Sequence, residues 1–173
     1  VEVGDLNTDV WIMDEGVFMA TIEIKRGERS FEVTGACVDI EFLILGMIQN
    51  NTYVISDGVG LLVVDPSADV ERILQMIGDR TLDAIICTHH HHDHVGALRE
   101  LREATGASVY ASAIDAPVIE NQPAPLFGPT ADSCKVDVAL KDNDVVTVGN
   151  MRWKVIATPG HTPGGICLFL DSE

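Results

Sequence analysis

A chain of 173 residues is long enough for one core-bearing domain, or for a piece of a larger one. Its apolar fraction of 46% excludes a disordered chain, and a formal net charge of −16 argues against nucleic-acid or anionic-membrane partners, since both surfaces repel an acidic protein. No apolar run reaches the ~20 residues of a membrane-spanning helix. No export signal is read either, although a start at Val1 leaves open that a leader has been removed. The cysteines Cys37, Cys87, Cys134 and Cys167 form no CxxC pair, and Cys87 and Cys167 stand in apolar, strand-like runs where a buried free thiol is the commoner state. The expectation is a reducing, cytoplasmic setting and a small-molecule substrate.

Residues 1–38 read as an acidic extension, with a strand over 17–25, a turn at Arg26-Gly27-Glu28-Arg29 and a return strand over 31–38. The main domain is expected over 39–173. Strands are predicted over 42–48 and 52–56, joined through Gln49-Asn50-Asn51, and over 61–64, ending at Asp65-Pro66. Val70, Ile73, Leu74 and Ile77 then form one apolar helical face that stops at Gly78, with Ser67 or Asp69 as cap. Ala84-Ile85-Ile86-Cys87 lacks polar alternation, as a strand buried on both faces should. Val95, Leu98, Leu101 and Ala104 mark a second helix ending near Gly106. Short strands are expected over 109–111, 136–140, 144–148, 153–157 and 166–170, with a proline-rich loop over 121–130. Strands alternating with helices, followed by a strand-rich stretch, predict a layered α/β (α+β) fold.

The chemistry is concentrated in Thr88-His89-His90-His91-His92-Asp93-His94, directly after the apolar strand. In an extended loop, His89, His91 and Asp93 share one side at period two, while His90 and His92 point the other way and are expected not to ligate. His94 is expected to begin the helix and turn back toward the same spot. Neutral imidazoles with a carboxylate suit zinc, and also iron or manganese. A histidine run inside the chain, between a buried strand and a helix, is not a terminal purification tag. His161 lies in Thr158-Pro159-Gly160-His161-Thr162-Pro163-Gly164, where two Pro-Gly pairs stiffen the turn, and it offers the third imidazole that a catalytic zinc site wants. Asp65 either orients a ligand imidazole or only forms the turn before Pro66.

The pair of motifs, His-x-His-x-Asp-His at 89–94 and Thr-Pro-Gly-His-Thr-Pro-Gly at 158–164, resembles the metallo-β-lactamase superfamily. Thr-His-His-His-x-Asp-His is similar to its hydroxyacylglutathione hydrolase (glyoxalase II-like) branch, and the likeness runs from about Phe42 to Leu170. The resemblance implies an αβ/βα sandwich with a two-metal site: His89, His91 and His161 on the first ion, Asp93 and His94 on the second. It also implies an aspartate bridging both ions and a further histidine beyond the Thr-Pro-Gly-His loop. The chain stops at Asp171-Ser172-Glu173, and Asp171 follows His161 too soon to be that bridge, so a sandwich truncated at its C-terminus is expected.

Such a site implies hydrolysis of a thioester or other activated acyl bond. A zinc ion would lower the pKa of water from about 16 to near 7 for attack on the carbonyl, with Asp93 orienting the nucleophile. A thiolate leaving group needs little protonation, whereas an amide demands more. Two other readings fit the same motif: a mononuclear iron persulfide dioxygenase, and a non-catalytic metal-binding or assembly domain.

Overall fold

The computed structural model describes residues 7–12, 18–23, 38–122 and 131–171. In chain order the elements are β1 (Asn7–Ile12), β2 (Phe18–Glu23), β3 (Asp39–Leu45), β4 (Asn50–Ser56), β5 (Leu61–Val64), α1 (Val70–Ile77), β6 (Ala84–Cys87), α2 (His92–Val95), α3 (Leu98–Thr105), β7 (Ser108–Ser112), α4 (Ala116–Glu120), β8 (Val138–Leu140), β9 (Val145–Val148), β10 (Met151–Ala157) and β11 (Ile166–Asp171). Strands β3 to β8 lie side by side in sequence order in a six-stranded sheet, and β11-β10-β9 make a three-stranded one. Hairpin connections make β3, β4 and β5 antiparallel, whereas β5, β6, β7 and β8 run parallel. The crossovers between the parallel strands carry the helices.

Two apolar layers explain why β5 and β6 read as unbroken hydrophobic runs. Val63, Ile85 and Val109 face one core together with Ile73 and Ile77 of α1 and Leu98 and Leu101 of α3. Their neighbours Leu62, Val64, Ala84 and Ile86 face a second core with Val146, Val148, Trp153 and Val155 of the smaller sheet. Successive strand residues point to opposite faces, so a strand sandwiched between helices and a second sheet must be apolar at every position. The layer order is therefore helices, large sheet, small sheet, and the mixed α/β class expected from the chain pattern is the one observed. On the outer face of the small sheet, Ile156 and Phe169 are exposed.

Local differences from the expected elements have physical causes. The strand expected over 42–48 ends at Leu45, because Gly46 takes φ +70° and closes a turn with Gln49, whose N–H donates to the Gly46 carbonyl at 3.3 Å. Met47 and Ile48 extend the apolar pattern but stand 95% and 60% exposed on that turn. The single helix expected after the histidines is two, α2 and α3, interrupted at Gly96-Ala97. A Cβ at Gly96 would collide with the Ser67 carbonyl, so the joint packs backbone against backbone. Asp69 precedes α1 without a side-chain cap bond, and the Ser67 hydroxyl pairs instead with Thr52 at 3.0 Å. Helix α4, with Pro117 in its first turn, was not foreseen. In the extension, β2 pairs with the preceding β1; residues 31–37 of the expected return strand lie outside the described residues.

Candidate metal centre

The parallel strands β5 and β6 end side by side, and the loops leaving them carry Asp65 and the histidine cluster. The strand pair β10 and β11 brings the other loop to the same end, where the Ile166 N–H donates to the Thr88 carbonyl at 3.0 Å. A site at the carboxyl ends of parallel strands is where α/β sheets commonly bind ligands.

His89, His91 and His161 meet there. One ring nitrogen from each lies within 4.8 Å of the other two, although His161 is 70 residues from His91 along the chain. His91 Nδ1 and His161 Nε2 are 2.9 Å apart, and the ring centroids of His89 lie 4.8 Å from His91 and 4.9 Å from His161.

A hydrogen-bond chain fixes which nitrogen His89 presents. Asp65 is buried, and its carboxylate accepts from the Thr88 N–H at 2.7 Å and the Thr88 hydroxyl at 2.6 Å. A hydroxyl has one proton to give, so Thr88 Oγ1 accepts from His89 Nδ1, 3.1 Å away. The lone pair of His89 then sits on Nε2, which is buried and has no hydrogen-bond partner. A buried nitrogen left unpaired is costly unless something binds it. Together with the two neighbouring imidazoles, it matches the three-ligand set of a catalytic zinc, so the residues present fit a metal ion.

Their protonation suits that role. Burial, with the nearby His94 second, pushes the His89 pKa down to about 4. Burial, followed by the charges of His90 and His161, also lowers that of His91. Both rings are neutral at pH 7, the form that binds a cation.

Beside the triad lies a second pair. His94 Nδ1 is 2.9 Å from Asp65 Oδ2, which leaves Nε2 facing Asp93 Oδ2 at 3.7 Å. Burial would depress the His94 pKa, but the hydrogen bond and charge of Asp65 outweigh it and raise the value. For Asp93 burial pushes upward; the Asn50 hydrogen bond leads the opposing interactions, and the net shift is downward. Asn50 Nδ2 donates to Asp93 Oδ2 at 2.7 Å and to the Asp93 carbonyl at 2.8 Å. Asp93 and His94 could thus hold a second ion, with the His94 ring 4.0 Å from that of His89.

The route to this arrangement differs from the period-two expectation. The helix begins at His92, with His91 as its N-cap, so Asp93 lies on a helical turn and His94 does not start the helix. Only His89 to His91 follow the alternation. His90 faces away, its Nδ1 3.1 Å from Asp115 Oδ2, and His92 Nδ1 lies 3.9 Å from Asp93 Oδ1, outside the triad. Asp65 is more than a turn residue: it holds φ +52° through its N–H bond to the Ile86 carbonyl and orients Thr88 and His94. Asn50 was missed, because a polar residue opening a strand carries no local signal of a partner 43 positions away.

The chain and its fold have matches among known proteins. The family model of the metallo-β-lactamase superfamily matches residues 45–173. A hydroxyacylglutathione hydrolase of Ectopseudomonas mendocina is 41% identical over 110 residues, covering 62% of this chain and 36% of that protein. The chain spans between 36% and 66% of the length of the first curated relatives it matches. Among solved structures, BJP-1, a subclass B3 metallo-β-lactamase of Bradyrhizobium japonicum, superposes with a TM-score of 0.68 at 29% identity, over 78% of this chain and 54% of that one. TTHA1623, solved in a di-iron-bound form, superposes with a TM-score of 0.63 at 30% identity, over 74% of this chain and 65% of its own. With three quarters of its length matched by the family model and the histidine triad assembled, the chain belongs to the metallo-β-lactamase superfamily.

Proposed function

We propose that the protein is a metal-dependent hydrolase of small thioesters of the S-acylglutathione type. The observation that carries this reading is the convergence of His89, His91 and His161, with the unpaired Nε2 of His89 among them. Similarity to a hydroxyacylglutathione hydrolase supports the thioester as substrate class.

The triad would hold the first ion, and Asp93 with His94 would hold the second. Zinc is the ion this donor set favours, with iron the alternative that the di-iron neighbour supports. When bound, such ions supply Lewis acidity, acidifying water toward neutral pH and polarising an acyl oxygen. The remaining work falls to the chain. Asp93, held by Asn50 and kept ionised, would orient the attacking water. Asp65 and Thr88 keep His89 in one tautomer, with its lone pair aimed inward, and Asp65 also orients the His94 ring. A thiol leaving group departs as thiolate and needs no strong acid, consistent with the residues gathered here.

A groove of about 310 Å³ beside Asp93, walled by Leu45, Met47, Ile48 and Ala97, is where we place part of the substrate. The acidic balance and the free thiols Cys87 and Cys134 support a small-molecule substrate and a reducing, cytoplasmic setting. Among the described residues, no helix is long and apolar enough to cross a membrane.

The test is thiol release from an S-acylglutathione by the zinc-loaded protein. The reading predicts turnover that a chelator removes by about 100-fold or more and that added zinc restores. A zinc-loaded protein that leaves thioesters untouched would contradict it.

A further inference from the structure

We infer that Asp115, a residue outside the ligand set, is the clasp that fixes the distance between the two ligand-bearing loops. Asp115 lies just before α4, is 1% exposed, and is anchored by its own N–H, which donates to Ser112 Oγ at 3.1 Å. Its Oδ2 receives bonds from both loops. The His90 N–H, between His89 and His91, donates to it at 3.1 Å, and the Thr162 hydroxyl, next to His161, donates at 3.0 Å. The His90 ring nitrogen Nδ1 lies 3.1 Å from the same oxygen. On the other side of the His90 residue, its carbonyl accepts from Gln122 Nε2 at 3.1 Å, so the backbone between two ligands is held at both ends.

The bare Gly164 completes the packing. A Cβ there would collide with Asp115 Oδ1 and Ser112 Oγ, so the Pro163-Gly164 backbone closes directly over the carboxylate. The second Pro-Gly pair therefore seats the His161 loop on Asp115 as well as stiffening a turn. Thr162 itself is 2% exposed, which places this link inside the protein where solvent does not compete for it. His161, by contrast, is exposed, and its loop has this buried bond as a tie to the His89–His91 side in addition to the backbone bond of Ile166 to Thr88. Asp115 is a positioning residue: it touches no ligand atom of the triad, and it acts through the backbone of His90 and the hydroxyl of Thr162.

A loosened clasp leaves each imidazole intact but lets the two loops drift, so the cost falls on metal affinity. Changes to groups that orient metal ligands weaken binding by about 10- to 100-fold. This inference rests on the triad being a metal site, and cobalt(II) binding, followed by its visible absorption, tests it without substrate. The variants are Asp115→Asn, Thr162→Val and Thr162→Ser, each checked for folding by circular dichroism. Thr162→Val is expected to weaken cobalt binding about tenfold or more and to change the ligand-field bands, while Thr162→Ser, which keeps the hydroxyl, restores both. Asp115→Asn should weaken binding in the same direction; if it fails to fold, the Thr162 pair carries the test. Folded Thr162→Val that binds cobalt with unchanged affinity and spectrum would overturn the clasp alone. A wild-type protein that binds no cobalt would overturn the clasp and the metal site together.

Discussion

Histidine is the residue whose surroundings decide most here, because the same side chain is used in three ways within six positions. His89 and His91 are held neutral, His94 is held toward its charged form by Asp65, and His90 is turned onto Asp115. The depressed value of His89 has a consequence for stability in the presence of a chelator. Its pKa is about 4 in the folded chain against 6.5 when unfolded, so between those values the unfolded chain binds more protons and stability falls as pH falls. At pH 5 the loss from this residue is about 2 kcal/mol. His94, raised, works with the opposite sign: it stabilises below 6.5, and that contribution fades as pH rises through its folded value. Urea unfolding at pH 7.5 and pH 5 should therefore show wild type losing about 2 kcal/mol more than His89→Gln over that interval. Equal losses would mean that His89 is not buried as described. The ligand types were legible in the sequence because six consecutive side chains able to bind a cation admit few other uses. Their partners Asn50, Thr88 and Asp115 were not, since an Asn, Thr or Asp in isolation has many reasons to be where it is.

At the scale of elements, uninterrupted apolar runs were the most informative signal and helix starts the least. Ala84–Cys87 could be placed as a doubly buried strand because no polar residue interrupts it, and Ile85 is fully buried between the large sheet and the helices. The start of α2 could not be placed, because His92-Asp93-His94 has no apolar spacing to reveal a helical turn. Gly96 reads in sequence as one more small residue; it keeps helical dihedrals against the Ser67 backbone, and the helix breaks at Ala97, whose N–H donates to the Pro66 carbonyl at 3.0 Å. Apolar pattern also misled at Met47 and Ile48, which continue the run of β3 but stand exposed on a turn set by Gly46. Ile85→Ala should cost about 2–5 kcal/mol of unfolding free energy, through lost burial and the cavity left behind. Met47→Ser should cost within about 0.5 kcal/mol. Denaturant midpoints check both, and a Met47→Ser penalty as large as that of Ile85→Ala would mean that the turn packs against something.

Across the whole molecule, the parallel part of the large sheet and the antiparallel small sheet share one core, and their loops open at one end. That layering was legible from the alternation of strands and helices followed by a strand-rich stretch. The packing of the β9-β10-β11 sheet, itself built from sequence neighbours, onto the large sheet, which carries His161 to the cluster, was not, since it depends on contacts between distant segments. The central claim is that these layers exist to bring His161 to His89 and His91 around one cation. Metal content per chain, by elemental analysis after dialysis, tests it most directly in wild type, His91→Ala and His92→Ala. The account predicts at least one zinc or iron per wild-type chain, a loss of most of it in His91→Ala, and content close to wild type in His92→Ala. Wild type without metal, or equal loss in the two variants, would contradict it.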